Sequence, residues 1–204
     1  MEAQNQIKII NNTLKNIQFN KTTILVGDNG SGKSVIRKYL ELGIENYTDN
    51  NNAKTKTISM QTRIEDPSGF GIMKDAPWEP TSIHTYDLIC QLFKSSFDEE
   101  KDFVPNYFII DELEIGMSRE SQLAVCNWLK EKIPIINEKS YGLLIITHSE
   151  FVVEQLKDLC EFIDLNNHNR TADEWINREV IPTDFEKLSE DTQELFTELL
   201  PKNK

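Results

Sequence analysis

The chain has 204 residues, of which 38% are hydrophobic and 27% charged, the profile of a globular domain long enough for one substantial core. No run approaches the ~18 apolar residues of a membrane-spanning helix, and Met1-Glu2-Ala3-Gln4-Asn5 lacks the basic and apolar regions of a signal peptide, so a cytoplasmic protein without direct membrane insertion is expected. The net charge of −12 repels phosphate backbones, which makes this chain alone a poor general nucleic-acid binder.

Residues 6–10 and 17–19 alternate polar and apolar side chains, which predicts an antiparallel hairpin. Thr22 to Val26 is a short β-branched run ending at a glycine, the pattern of a buried central strand. Val35, Ile36, Tyr39, Leu40 and Leu42 recur at helical spacing, predicting a helix over 32–42. Residues 46–56 read as a polar loop, 57–60 as a strand, and 66–80, with three prolines and two glycines, as irregular chain. Helices are predicted over 82–94, over 118–133 with Ser118 as its cap, and over 150–159. Buried strands are predicted at 107–110 and 143–146, and a further strand at 162–165.

Short apolar strands alternating with helices predict an α/β domain with a mostly parallel central sheet. Residues 171–204 differ: Thr171-Ala-Asp-Glu174 spells a capping box, and the apolar residues after it either pack on the core or bind a partner. Cys90, Cys126 and Cys160 lie far apart among apolar residues, which favours buried free thiols over a metal or redox role.

Residues 27–34, Gly-Asp-Asn-Gly-Ser-Gly-Lys-Ser, satisfy G-x-x-x-x-G-K-[ST] at every fixed position, after an apolar strand and before an amphipathic helix. Glycines let backbone N–H groups wrap a phosphate, and the helix presents its positive end to the anion. Asn29, Gly30, Ser31, Gly32, Lys33, Ser34 and Val35 are therefore the candidate nucleotide ligands, with Lys33 on the β- and γ-phosphates and the Ser34 hydroxyl on Mg²⁺. Residues 107–112, Tyr-Phe-Ile-Ile-Asp-Glu, place Asp111 at a strand end to hold the Mg²⁺ shell. Glu112 follows, where a carboxylate orients and deprotonates an attacking water. Leu144-Ile-Ile-Thr-His-Ser149 ends a third strand with His148, suited to contact the γ-phosphate.

In order, Val26–Ser34, Ile109-Ile-Asp-Glu112 and Ile145-Ile-Thr-His148 resemble the Walker A, Walker B and switch-histidine motifs of ABC-superfamily ATPases. The resemblance covers residues 6–165. The run Asp111-Glu-Leu-Glu-Ile-Gly-Met-Ser118 looks like that of soluble, non-transporter members, because transporter subunits usually place Pro where Leu113 stands. The resemblance implies a P-loop NTPase fold with an N-terminal antiparallel β portion. Residues 1–165 would be the ATPase domain, with a reduced helical insert at about 62–105, and 166–204 a helical extension. It also implies ATP and Mg²⁺ as cofactors and Gln61 as a further Mg²⁺ and nucleotide ligand. Two or more copies would join through ATP. The switched partner would be a protein such as a nuclease or another DNA-associated effector, in DNA maintenance or defence against foreign DNA.

The family's signature Leu-Ser-Gly-Gly-Gln is absent. Its nearest counterpart is Pro80-Thr-Ser-Ile-His-Thr85, where Thr81 or Ser82 offers a hydroxyl to a phosphate or simply caps a helix. Phe19 is a weak candidate for stacking the base. Alternatives are a transporter's ATPase subunit, a small-molecule kinase, and an ATP sensor that does not hydrolyse.

Overall fold

A computed structural model describes residues 2–44, 53–59, 81–94, 106–180 and 189–190. In chain order these give α1 (Glu2–Asn16), β1 (Thr22–Val26), α2 (Lys33–Gly43), β2 (Lys54–Ile58), α3 (Thr81–Lys94), β3 (Asn106–Asp111), α4 (Arg119–Lys139), β4 (Gly142–Ile146), α5 (Glu150–Leu156), β5 (Glu161–Asp164) and α6 (Ala172–Ile176). A single 3₁₀ turn, Lys157–Leu159, joins α5 to β5.

The five strands form one sheet in the order β2-β3-β4-β1-β5, and every pairing is parallel. All strand C-termini therefore share one edge. Each residue of β1 and β4 is buried, as a strand covered on both faces requires. Successive side chains point to opposite faces. Leu25, Tyr107, Ile109, Leu144 and Ile146 pack with Ile10, Leu14 and Ile17 and with Ile36 and Leu40 of α2. Ile24, Val26, Phe108, Ile110, Leu143 and Ile145 pack with α3, α4 and α5 and with Trp175. The result is a three-layer α/β domain: α1 and α2 on one face, α3 to α6 on the other.

The N-terminus corrects the sequence reading. Residues 6–10 lie in α1, residues 17–19 belong to no strand, and no antiparallel pairing occurs among the described residues. Five alternating residues fit a strand, but Ile7, Ile10, Leu14 and Ile17 are spaced by three and four, and a longer helical stripe prevails over a shorter strand pattern. Ile10, Leu14 and Ile17 are all buried.

Two boundaries also shift. Helix α4 begins after Ser118, whose hydroxyl accepts the Ser121 N–H, but it runs through Pro134 to Lys139 rather than stopping at Ile133. Strand β2 starts at Lys54, inside the expected polar loop, and pairs with β3 from Lys54↔Asn106 to Ile58↔Ile110. Among the described residues no helix is long and apolar enough to cross a membrane.

Thr171 caps α6 with the expected capping box. Trp175 is buried against the core, with the Arg178 guanidinium 3.8 Å over its ring and bonded to Glu150 at 3.0 Å.

Candidate functional site

The loop between β1 and α2 turns at Gly30 (φ 79°) and Gly32 (φ 104°), conformations that a Cβ resists. Gly32 is also tight for space, since a Cβ there would lie 2.8 Å from Ile10 Cδ1 of α1. At Gly27 a Cβ would come within 2.6 Å of Ser31 Oγ. The start of α2 has no side-chain cap; the Val35 and Ile36 N–H groups both donate to Gly32 O at 3.0 Å, and the N–H groups ahead of them face the site of an anion. Asp28, Asn29, Gly30 and Ser34 are exposed, Ser31 and Val35 half-buried, and Gly32 and Lys33 buried.

The Lys33 side chain folds back into the loop, where Nζ donates to Gly27 O at 2.8 Å and Asp28 O at 2.9 Å. Burial lowers the pKa of its ammonium, and Glu112, Asp111, Asp28 and Glu114 oppose that shift in turn. The loop is anchored from β5: the Asp28 N–H donates to Asn166 Oδ1 at 2.7 Å, and the Asn166 N–H donates to Asp164 Oδ1 at 2.9 Å. Asp164 is fully buried and accepts from Arg170 Nη1 at 2.9 Å. Ser31 Oγ is buried without a hydrogen-bond partner.

Asp111 and Glu112 end β3 at the same sheet edge. Burial pushes the Asp111 carboxyl up to about 6; Arg37 pulls against this, and Glu112 adds to it. Arg37, on α2, donates from Nη1 to Asp111 Oδ2 at 2.8 Å. Glu112 sits at φ 54°, a left-handed conformation uncommon outside glycine and of the kind found at active sites. Its N–H donates to Ile146 O at 2.8 Å, which ties the strained residue to the end of β4.

His148 follows β4, the strand between the two motif-bearing strands β1 and β3. Its Nε2 lies 3.5 Å from Glu112 Oε1. Burial and then Lys33 lower its pKa, while Glu112, Glu114 and Asp28 oppose them, a net shift that favours the neutral imidazole. Its backbone N–H donates to Glu114 Oε1 at 2.8 Å. Ser149 Oγ donates to Gln122 Oε1 at 3.0 Å, and Gln122 Nε2 donates to Met117 O at 3.3 Å. The segment after His148 is thus clamped to the turn after Glu112.

Lys33, Asp111, Glu112 and His148 are thereby brought to one edge of the sheet. Gln61 lies outside the described residues. Ser82 is in the first turn of α3, and its side chain, like that of Thr81, lies outside them too. Phe19 is not a base platform: it packs edge-on against Tyr107 with ring centroids 5.4 Å apart, near the start of β3 and therefore at the opposite sheet edge. Among the described residues no group of three or more His, Cys, Asp or Glu could hold a metal by itself. Cys126 is buried and Cys90 and Cys160 half-buried, all three free. Burial raises each thiol, Cys126 to about 11 and Cys160 to about 12, which leaves them protonated and unreactive.

Sequence reasoning missed Arg37, Glu114, Asp164, Asn166 and Arg170. Helical spacing was a usable signal for Arg37, which is four residues after Lys33 and so shares its helix face. An Asp at the C-terminal end of a predicted strand was the corresponding signal for Asp164.

No family model matches the chain, and no curated protein sequence matches it. Among the solved structures that match is the Aeropyrum pernix ORC2 protein, determined as ADPNP–ADP complexes, at 14% identity over 79% of this chain with a TM-score of 0.37. The match covers 45% of that protein, so this chain spans less than half its length. The likeness is too distant to carry that protein's properties across. The P-loop NTPase fold rests instead on the all-parallel sheet and on the G-x-x-x-x-G-K-S loop joining β1 to α2.

Proposed function

We propose that this chain binds ATP with Mg²⁺ at the sheet edge formed by residues 27–35, 111–112 and 148, and hydrolyses it. The observation that carries the reading is the buried Lys33 in a glycine cradle, its Nζ on Gly27 O and Asp28 O, at the sheet edge where Asp111, Glu112 and His148 end their strands. The residues suit a triphosphate. The loop amides and the uncapped start of α2 supply N–H donors, Lys33 exchanges two loop carbonyls for phosphate oxygens, and Ser31 Oγ gains the partner it lacks. They suit Mg²⁺ as well, since that ion usually takes one or two protein oxygens together with substrate phosphates. Ser34 and Asp111 would hold it, with Gln61 as a third candidate. When bound, it neutralises charge developing on the phosphoryl oxygens.

The chain's own residues do the rest. Glu112 accepts a proton from a water held in line with the γ-phosphate. Its left-handed backbone and the bond from its N–H to Ile146 O fix where the carboxylate begins. Neutral His148 donates a hydrogen bond to the γ-phosphate. Because its own N–H is held by Glu114, a shift there is passed to the turn between β3 and α4.

The finer reading is a soluble ABC-type switch in which two or more copies close over ATP, act on a protein effector such as a nuclease or another DNA-associated protein, and separate after hydrolysis. The order of the motifs and Leu113 support it. Helix α1, standing where that family carries antiparallel strands, does not, so the ATPase reading is independent of it. A cytoplasmic site of action fits the composition.

The test compares Lys33→Ala and Glu112→Gln with wild type in ATP binding, phosphate release and sedimentation. Lys33→Ala should lose nucleotide binding by roughly 100-fold or more, as a central charge-assisted contact implies. Glu112→Gln should bind ATP normally, release phosphate at least ~100-fold more slowly, and accumulate as a larger assembly. Undiminished ATP uptake by Lys33→Ala would remove the site altogether. Unchanged turnover in Glu112→Gln would remove only the assigned base.

A further inference from the structure

Helix α2 leaves the phosphate-binding loop with Lys33, Ser34 and Arg37 near its start, and residues three and four apart share a helix face. Lys33 and Ser34 have roles in the reading above, and Arg37 has none. Its Nη1 lies 2.8 Å from Asp111 Oδ2, and both side chains are shielded from water, at 12% and 14% exposed. Glu41 Oε1 is 3.7 Å from Arg37 Nε, yet Nε makes no hydrogen bond. The guanidinium thus makes its short charged contact with Asp111, and Glu41 stands beside it at a looser ion-pair distance. A shielded pair of this kind persists because separating it leaves a bare charge in a poorly solvated place.

Asp111 is the carboxylate that a divalent cation would use. A bare cation arriving there meets a fixed positive charge already on that group. A cation carried by a triphosphate arrives with several negative charges, which offset both it and the guanidinium. We propose that Arg37 is a positioning residue, an internal counter-ion for Asp111 that makes the empty protein accept divalent metal only together with a nucleoside triphosphate. The proposal rests on the nucleotide site described above.

The test titrates Mn²⁺, followed by the electron paramagnetic resonance of the free ion, into full-length wild type and Arg37→Gln in weakly alkaline buffer. Each is measured alone and with a non-hydrolysable ATP analogue. Wild type should bind Mn²⁺ weakly alone and tightly with the analogue. Arg37→Gln should bind Mn²⁺ alone roughly tenfold or more tightly than wild type, since one unit charge at ion-pair distance is removed, and its dependence on the analogue should shrink. Arg37→Met, which keeps the aliphatic stem, carries the same expectation should the Gln variant fail to fold. Arg37→Lys keeps the charge and should stay close to wild type. Mn²⁺ binding alone that is unchanged or weaker in Arg37→Gln and Arg37→Met, with analogue binding intact, overturns the counter-ion role and spares the nucleotide site. Absence of Mn²⁺–analogue binding in wild type overturns both.

Discussion

Between Gly27 and Ser34 the anchoring contacts run to the loop's own backbone and to β5, whereas between Asp111 and His148 they gather like charges around a strained residue. In the first region the left-handed positions are glycines, and the one buried cation, Lys33, ends on two carbonyls of its own loop. In the second a non-glycine, Glu112, takes a left-handed position alongside Gly116 and Gly142, and Asp111 is pushed up to about 6 chiefly by its burial. An anion cradle can be finished by the chain itself, because amides and glycines cost little to hold in place. A carboxylate cluster needs cations to finish it, and the one that Arg37 supplies on Asp111 offsets only part of the burial that raises that carboxyl. The two regions should therefore respond differently to damage.

The largest effect is expected on the cradle side. Asp164 is fully buried, ion-paired to Arg170 and bonded to the Asn166 that holds Asp28. Asp164→Ala removes the buried partner of Arg170, itself 29% exposed, at a cost of up to about 3 kcal/mol, and takes away the bond that holds the Asn166 backbone. A clear fall in the urea midpoint should accompany weaker nucleotide binding by the fraction still folded. Full affinity in the folded fraction would show that β5 supports the domain without shaping the cradle.

The acidic side should give a smaller effect whose sign depends on pH. Asp111 is raised from its usual 3.8 to about 6, so between those values the folded protein holds a proton that the unfolded chain has released. Stability from this group is full at low pH and falls as pH rises through about 6, by an order of about 2–3 kcal/mol at most. Other carboxylates mask this in a raw pH curve. Against Asp111→Asn, the wild-type stability should lose ground as pH climbs from about 4 to above 6, whatever constant offset the unpaired Arg37 adds. A parallel pair of curves would mean that Arg37 already balances the charge.

The same division explains what could be read from residue order. The cradle is a local feature: eight consecutive residues specify it, and the apolar runs at 22–26, 107–110 and 143–146 announce their strands because both faces are buried. Strand β2, Lys-Thr-Lys-Thr-Ile, carries no such signal; it lies at the sheet edge and draws its structure from pairing with β3. Helix α4 passes through Pro134 because Ile133 and Ile136 are buried on either side of it, and tertiary packing outweighs a local breaker. The supports of the site were illegible for a related reason. Arg37 meets Asp111 across 74 residues of chain, and Asp28 meets Asn166 across 138. Only the fold makes them neighbours.

The smallest effect sharpens the contrast most. If Glu112 holds its backbone at φ 54° against its own preference, glycine at that position removes a cost of order 1–3 kcal/mol while adding freedom to the unfolded chain worth up to about 1 kcal/mol. The lost contact to His148, 3.5 Å long and about one-third exposed on each side, contributes little. Glu112→Gly should then be more stable than wild type by about 1 kcal/mol and inactive, while Glu112→Gln, equally inactive, gains nothing from the backbone. Measuring both separates strain from charge, because the two variants remove the same negative charge, while Gln keeps a side chain with its Cβ and Gly keeps none. A Glu112→Gly protein that melts below Glu112→Gln would mean that the turn is set by its surroundings at no cost, and the acidic half would then differ from the cradle in charge alone.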